Sequence, residues 1–263
     1  MKQLGLIALL MCGIALTLNA QVPVTVVSGA SFKQLEPVAP GAYAQAFGNY
    51  QGFPTAQAGV DQLPLPTEIQ GIQLTIEGAT SAANLYAVRP DVVAFIVPQE
   101  LAPGQHTLRV LNGGQVIGEG TISVAGVFPG IFWNTGDPAG DGNKTQVGGI
   151  RRSSDNSYVT PDTPAARGEV IVIPLTGQGN NVNNPVANGD APTDASSTTT
   201  TLPRVFVSGV EATVQFSGLM PGWPGLWQVN AYVPDEAFIK GAVPLIVTFN
   251  GAPANEVIFY VAE

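Results

Sequence analysis

The amino-acid sequence predicts an all-β protein made of two tandem immunoglobulin-like β-sandwich domains. Three observations support this fold class: glycine and proline are abundant, apolar residues recur in short runs, and one series of landmarks occurs twice. Glycine (31) and proline (22) are frequent among the 263 residues, and both disfavour long helices. Hydrophobic residues make up 45% of the chain, which is enough to form a buried core.

Alternation of apolar and polar residues predicts short strands, because successive side chains of a strand point to opposite faces. The sequence Ile-Gln-Leu-Thr-Ile at 72–76 is an example. Pro98 and Pro234 each end a predicted strand, since proline has no N–H for a sheet. The number and spacing of the predicted strands are typical of an immunoglobulin-like sandwich. The predicted strands cover residues 72–76, 106–111, 116–124, 170–175, 205–207, 210–216, 226–233, 243–249 and 257–261.

Four landmarks occur in the same order in both halves of the chain, and this repeat predicts two homologous domains. The Asn-Gly landmark predicts a tight hairpin turn in which both residues take a positive φ. The predicted domains are residues 21–125 and 126–263, and the second has a long polar loop at 178–202. The matching segments are 37–41 with 164–168, 74–78 with 205–209, 95–98 with 231–234, and Asn112-Gly113 with Asn250-Gly251.

Composition excludes some classes of function. Lys and Arg number 10 against 19 Asp and Glu, which gives a net charge of −9, so the basic surface of a nucleic-acid binder is missing. The single histidine, His106, is expected on the surface of a strand. We predict no catalytic residue, metal or cofactor, although spacing alone leaves open whether two scattered acids form the pair that glycoside hydrolysis uses.

Residues 1–20 have the pattern of a secretory signal peptide. Lys2 supplies a positive charge, residues 4–18 are apolar, and Ala20 is a small residue at the expected cleavage position. The apolar run is shorter than the about 20 residues that span a membrane. We therefore expect a secreted protein, extracellular or on the cell surface, without membrane insertion after cleavage; the periplasm is the alternative. Cleavage removes Cys12, so no disulfide is expected.

Three motifs carry a resemblance to a family. They are Val-Phe-Pro-Gly-Ile-Phe at 127–132, Thr-Gly-Gln-Gly at 176–179 and Gly-Trp-Pro-Gly-Leu-Trp-Gln-Val-Asn-Ala-Tyr-Val-Pro at 222–234. Residues 127–263 resemble the uncharacterised C-terminal domain that recurs in secreted proteins of Solibacter-type acidobacteria. The first half resembles its usual companion through 28–32 and 63–67. The resemblance implies a secreted, immunoglobulin-like, adhesion-type module and offers no catalytic residue to transfer.

One segment has the residue types of a calcium site. Asp137 and Asp141 lie close to Asn143, and Ca²⁺ binds several such oxygen ligands. The spacing differs from an EF-hand loop, however, and Gly, Asp and Pro are ordinary turn residues. A solvated turn is therefore the interpretation that we favour.

The candidate binding residues lie in the polar loop and in one turn. Loop residues Asn180, Asn181, Asn183 and Asn184 are either good turn formers or ligand contacts. Alternation places Trp227 on the core face of its strand with Val229 and Ala231. Trp223 lies in a turn between Gly222 and Pro224, so it is the better candidate for an exposed aromatic contact.

These observations predict a secreted, non-enzymatic structural, adhesion or surface-assembly module. The alternative is a carbohydrate-binding protein, or an accessory module for polysaccharide breakdown, that uses Trp223 and the loop. The expected partner is a protein or a glycan at the cell surface, with self-association as a further option. Nucleic acid is not expected as a partner.

Overall fold

The computed structural model describes residues 21–59, 61–136 and 145–263. The predicted signal peptide at 1–20 and the calcium candidates Asp137 and Asp141 lie outside the described residues. Within the described ranges the chain forms twenty strands in three sheets and no helix. This part of the chain accordingly contains no helix that could span a membrane. The predicted all-β class with two tandem immunoglobulin-like sandwiches is confirmed.

The first domain contains eight strands that form one continuous hydrogen-bonded path. They are β1 (Val22–Ser28), β2 (Tyr43–Phe47), β3 (Ala56–Gln57), β4 (Ile72–Ile76), β5 (Leu85–Arg89), β6 (Val92–Ile96), β7 (Gly104–Asn112) and β8 (Gln115–Val124). Their order is β3-β5-β6-β2-β1-β8-β7-β4. β1 joins the two layers of the sandwich, because its first half lies parallel to β8 and its second half pairs antiparallel with β2.

The core of the first domain lies between these two layers. Phe95 on β6 and Ile122 on β8 are both fully buried in the same apolar cluster. β6 differs from the other strands because all five of its residues are buried. Its outward-facing Ile96 is covered by Gly225 of the second domain, which explains why the alternating pattern is lost there.

The second domain contains twelve strands in two sheets. They are β9 (Gly130–Ile131), β10 (Trp133–Gly136), β11 (Thr145–Gly148), β12 (Arg151–Arg152), β13 (Val170–Thr176), β14 (Arg204–Val207), β15 (Val210–Ala212), β16 (Val214–Leu219), β17 (Trp227–Tyr232), β18 (Gly241–Phe249), β19 (Ala252–Pro253) and β20 (Val257–Val261). One sheet has the order β10-β11-β20-β18-β14-β15, with β19 beside β18. The other has the order β12-β13-β17-β16, with β9 beside β13.

The two sheets of the second domain enclose a core that is centred on Trp227. The indole ring is fully buried and lies 5.1 Å from the ring of Phe249 on the facing sheet. Its Nε1–H donates to the Ser217 hydroxyl at 2.8 Å, so the one polar atom of the ring is satisfied. Val229 and Ala231 share this buried face, as the alternation predicts.

The two domains repeat the same strand pairings. The parallel pair β1–β8 corresponds to β11–β20, and the hairpin β7–β8 corresponds to β18–β20. The Gly41 N–H donates to the Val97 carbonyl at 2.8 Å, and the Gly168 N–H donates to the Val233 carbonyl at 2.8 Å. These four residues belong to the landmarks that recur in the sequence.

The alternating run at residues 210–216 was predicted as one strand, and this prediction is wrong. The run divides at Thr213 into β15, which pairs with β14, and β16, which pairs with β17 in the opposite sheet. Alternation continues across the division because both pieces bury one face in the same core. The pattern therefore reports burial but cannot show that a strand changes sheets.

One of the two predicted hairpin turns is displaced by a residue. Asn250 and Gly251 both have a positive φ, at 46° and 84°, as predicted for a tight turn. In the first domain the positive values belong to Gly113 (55°) and Gly114 (80°), and Asn112 is the last residue of β7. Gly113 and Gly114 form the turn instead of Asn112 and Gly113, because glycine adopts a positive φ at a lower steric cost than asparagine.

A Trp227→Phe substitution tests the assigned core. The variant keeps a ring in the core but loses side-chain volume and the hydrogen bond to Ser217. We therefore expect its free energy of unfolding to be about 1–3 kcal/mol lower than that of the parent. Urea denaturation measures the difference. The same change at Trp223, which is 55% exposed, is the matched control and should stay within about 0.5 kcal/mol. Equal effects at both positions would contradict the assignment.

Candidate functional site: an aromatic groove on the second domain

A groove of about 510 Å³ lies on the outer face of the β12-β13-β17-β16 sheet. Strand register builds its floor, because directly paired residues project to the same side. Arg151 pairs with Val172, and Pro174 pairs with Gln228. On β13 the buried residues Ile171, Ile173 and Leu175 alternate with Val172 and Pro174 and face the core. The floor therefore combines apolar surface with one amide and one guanidinium group.

Aromatic side chains form the walls of the groove. Phe132, Trp133, Tyr158 and Trp223 all line the groove, and the Tyr158 ring lies beside the Arg151 guanidinium group. Trp223 and Tyr158 are 55% and 53% exposed, which is unusual for rings of this size. The described residues that line the groove are Phe132, Trp133, Asn134, Gly149, Arg151, Asn156, Tyr158, Val172, Pro174, Met220, Pro221, Trp223, Leu226 and Gln228.

Arg151 is held in place by two neighbours in the groove. One guanidinium nitrogen donates to the Asn156 Oδ1 at 3.3 Å, and another donates to the Tyr158 hydroxyl at 2.7 Å. The guanidinium carbon also lies 4.4 Å from the centre of the Tyr158 ring, which is a cation–π contact. The arginine and the tyrosine therefore fix each other's position.

Trp133 belongs to the groove through β10 and touches the first domain through its ring. The Phe32 ring packs edge-on against it, with 6.2 Å between ring centres. The buried Nε1 atom of Trp133 has no hydrogen-bond partner among the described residues. An unsatisfied buried donor of this kind usually costs about 1–3 kcal/mol.

The turn that carries Trp223 rests against the first domain. Gly225 in this turn has a φ of 71°, and a Cβ atom there would lie 2.5 Å from Ile96 Cδ1 and 3.0 Å from the Tyr43 nitrogen. Only glycine fits this contact. The Tyr86 hydroxyl donates to the Pro224 carbonyl at 2.6 Å; burial and the neighbouring Tyr43 raise the pKa of Tyr86, so the phenol keeps its proton.

A second groove meets the first at Trp223. Its volume is about 330 Å³, and it lies where the two domains touch. Trp223 lines both grooves, so one exposed indole ring separates two concave surfaces. The lining of the second groove is Gln57, Ala58, Gly59, Leu63, Leu65, Tyr86, Gly222, Trp223 and Pro224.

The polar loop at 178–202 packs against the first domain. The Asn180 amide donates to the Gln99 carbonyl at 2.8 Å, and the Gln99 N–H donates to the Asn188 Oδ1 at 2.9 Å. The Gln99 amide donates to the Val186 carbonyl at 2.9 Å. The loop also supports the groove, since the Gly222 N–H donates to the Pro192 carbonyl at 3.0 Å.

The other predicted contact residues of the loop bond within the loop. The amide of Asn181 donates to the Gln178 carbonyl, that of Asn183 to the Thr198 hydroxyl, and that of Asn184 to the Ser196 carbonyl. None of these residues lines the aromatic groove. The structure therefore brings Trp223 together with Trp133, Arg151 and Tyr158 rather than with the asparagines.

Sequence reasoning missed most of the groove, including Trp133, Arg151, Asn156, Tyr158 and Gln228. Two local signals were present. Trp133 directly follows the Pro-Gly-Ile-Phe motif, and Arg151-Arg152 is the only adjacent pair of basic residues in the chain. Neither signal shows that these residues share one face, because the sheet register brings them together.

The described residues offer little catalytic chemistry. Both ring nitrogens of His106 lie within hydrogen-bond distance of backbone carbonyls, Glu77 at 2.9 Å and Ala102 at 2.8 Å. The described part of the chain contains no group of three or more His, Cys, Asp or Glu residues that could hold a metal ion. The aromatic groove is therefore the candidate functional site.

Comparisons with known proteins give distant structural similarity. No family model and no curated protein matches the chain. Bacteroides ovatus SGBP-B of a mixed-linkage glucan utilization locus, solved with a heptasaccharide, is 12% identical with a TM-score of 0.34; the match covers 88% of this chain and 45% of that one. The chain thus spans less than half of that protein's length.

Two further structures are tandem domains. Domains 5–6 of the S-layer protein SbsC are 13% identical with a TM-score of 0.26, and the match covers 91% of this chain and 96% of that one. Titin domains A164–A165 are 9% identical with a TM-score of 0.20, with 85% and 89% covered. TM-scores this low do not identify a ligand or an activity for this chain.

Glu100 offers a test of the contact between the domains. Burial alone would raise its pKa, but hydrogen bonds from the Thr80 N–H, the Asn188 amide and the Thr80 hydroxyl outweigh burial and lower the pKa to about 2. The carboxylate form is therefore stabilised in the folded protein. This contribution is complete above the ordinary pKa of 4.5 and is lost as the pH falls towards 2.

We expect Glu100→Gln to remove this part of the pH dependence. Between pH 4.5 and pH 2 the unfolding free energy of the parent should fall more steeply than that of the variant. Denaturant unfolding at several pH values measures both slopes. Asn188→Ala removes one donor and should give an intermediate slope. Superimposable profiles for parent and Glu100→Gln would contradict the assigned contact.

Proposed function

We propose that this protein is an exported, non-enzymatic adhesion module and that its second domain binds carbohydrate through the aromatic groove. The observation that carries the proposal is the arrangement of exposed Trp223 and Tyr158 rings around a floor with polar groups. A concave site with a few directed polar groups is the usual form of a ligand site. The groove volume of about 510 Å³ lies in the range of such sites.

The chemistry of the lining suits a sugar. The C–H face of a pyranose ring is apolar and stacks on an aromatic ring, while its hydroxyl groups donate and accept hydrogen bonds. Asn134, Asn156 and Gln228 supply amide donors and acceptors around the rings.

The lining supports binding rather than catalysis. The described lining residues include no Asp, Glu or His, and these are the side chains that most often transfer protons in enzymes. Among the described residues the groove therefore has no pair of carboxylates of the kind that glycoside hydrolysis uses. We therefore include the absence of enzymatic activity in the proposal.

Export and family membership are also part of the proposal. Export rests on the signal-peptide pattern of residues 1–20, and membership of the Solibacter-type family rests on motifs 127–132, 176–179 and 222–234. The last motif builds the Trp223 turn and part of the groove floor. The resemblance thus falls on residues that form the proposed site.

Affinity electrophoresis tests carbohydrate binding directly. Native gels that contain mixed-linkage β-glucan, xyloglucan, galactomannan, polygalacturonate, alginate or glucuronoxylan should retard the parent protein with at least one polysaccharide. Trp223→Ala and Tyr158→Ala should each weaken that binding at least about tenfold, since buried aromatic contacts dominate binding energy. Tyr232→Ala is the control, because Tyr232 is 39% exposed but does not line the groove.

Two outcomes would contradict the proposal. Migration that no polysaccharide changes would argue against carbohydrate binding, and an equal loss in Tyr232→Ala would place the site elsewhere. Gel filtration with light scattering on the same preparation tests the structural alternative. A defined oligomer together with no polysaccharide binding would favour surface assembly by self-association.

A further inference from the structure

We propose that the groove is selective for glycans that carry a carboxylate, such as uronic acid residues, and that Arg151 binds this carboxylate. This inference rests on the carbohydrate binding proposed above and specifies its ligand class. Arg151 differs from the other described basic residues in its ion pairing.

Arg151 is the one described basic side chain without a described acidic partner. Eight of the ten Lys and Arg residues are described, and seven of them form an ion pair with a carboxylate. These pairs are Lys33–Glu36, Arg89–Asp91, Arg109–Glu119, Arg152–Glu169, Arg167–Asp235, Arg204–Glu211 and Lys240–Glu263. Acidic residues outnumber basic ones in this chain, so an arginine without a partner is unexpected.

The surroundings of Arg151 leave donors free for a ligand. A guanidinium group carries five N–H donors, and its described hydrogen bonds run to the Asn156 Oδ1 and the Tyr158 hydroxyl. Both are neutral acceptors. The cation–π contact with Tyr158 orients the group without neutralising its charge. The remaining N–H groups can bind the two oxygens of a carboxylate together, which is the geometry that arginine favours.

The charge of the groove is opposite to that of the molecule. The chain has a net charge of −9, yet Arg151 is the only charged residue among the described residues that line the groove. An anionic sugar therefore meets a positive group and no like charge from these described lining residues. Repulsion from the rest of the protein is screened beyond about 10 Å at 0.1 M salt. A neutral glycan would leave the partly buried arginine without its complementary charge.

Matched polysaccharides test the inference. Polygalacturonate, alginate and glucuronoxylan are each compared with their carboxyl methyl esters, which keep the sugar backbone and remove the charge. Isothermal titration calorimetry should show that the parent binds at least one uronan about 10- to 100-fold more tightly than its ester, the factor expected for a hydrogen bond to a charged group. Added NaCl should weaken binding of the free acid only.

Variants assign the effect to Arg151. Arg151→Met should bind the free acid no more tightly than the same variant binds the ester, so that the preference for the free acid is lost. Arg151→Lys keeps the charge without the planar fork and should give an intermediate affinity. Arg89→Met makes the same change of net charge in the first domain, outside the groove, and should bind like the parent. The salt dependence of the parent gives the answer even if Arg151→Met fails to fold.

The possible results separate this inference from the proposed function. If Trp223→Ala abolishes binding while acid and ester bind equally, the groove binds glycans but the carboxylate inference is overturned. It is also overturned if a glutamate-rich peptide binds through Arg151 and no uronan does. If no polysaccharide binds at all, the proposed function itself fails.

Discussion

Gln99 connects the two domains through three hydrogen bonds, and the geometry of the candidate site depends on this connection. Its N–H, its carbonyl and its side-chain amide all bond to the 178–202 loop of the second domain. The same loop accepts the Gly222 N–H and so supports the Trp223 turn. The position of the Trp223 ring is therefore set by both domains, and a ring that is fixed before binding loses less entropy when a ligand arrives.

The repeat places equivalent strands in different surroundings in the two domains. β6 and β17 occupy equivalent positions in their sheets, and each is followed directly by a valine and a proline. The outward face of β6 is covered, with Ile96 against Gly225. The outward face of β17 stays open and presents Gln228 to the groove. The same strand position thus makes an inter-domain contact in the first domain and lines the candidate groove in the second.

Local patterns in the sequence predicted the strands but not the assembly. Residues 72–76 and 257–261 form strands with the predicted bounds, and Trp227 is buried on the predicted face. In these segments the side chains are divided simply between core and solvent. The run at 210–216 was predicted incorrectly because two strands in different sheets share one core and so keep one alternating pattern.

The groove could be predicted only in part, because its residues are distant in sequence. Trp223 was recognisable from its flanking Gly222 and Pro224, which place it in a turn. Arg151 and Tyr158 join it through the register of β12 and β13 and the turn that follows β12. The sequence of the 178–202 loop is polar, which indicates that its residues form hydrogen bonds but does not identify their partners. In the structure several of these bonds join the loop to Gln99 of the first domain.

The indole N–H signals of the three tryptophans test the central claim most directly. They are assigned by ¹⁵N NMR with single Trp→Phe variants and followed during titration with oligosaccharides of the polysaccharide that retards the protein most. The account predicts that the signals of Trp133 and Trp223 shift, because both line the groove, while the signal of buried Trp227 stays in place. Binding that leaves the Trp133 and Trp223 signals unmoved would contradict the assignment of the groove as the binding site.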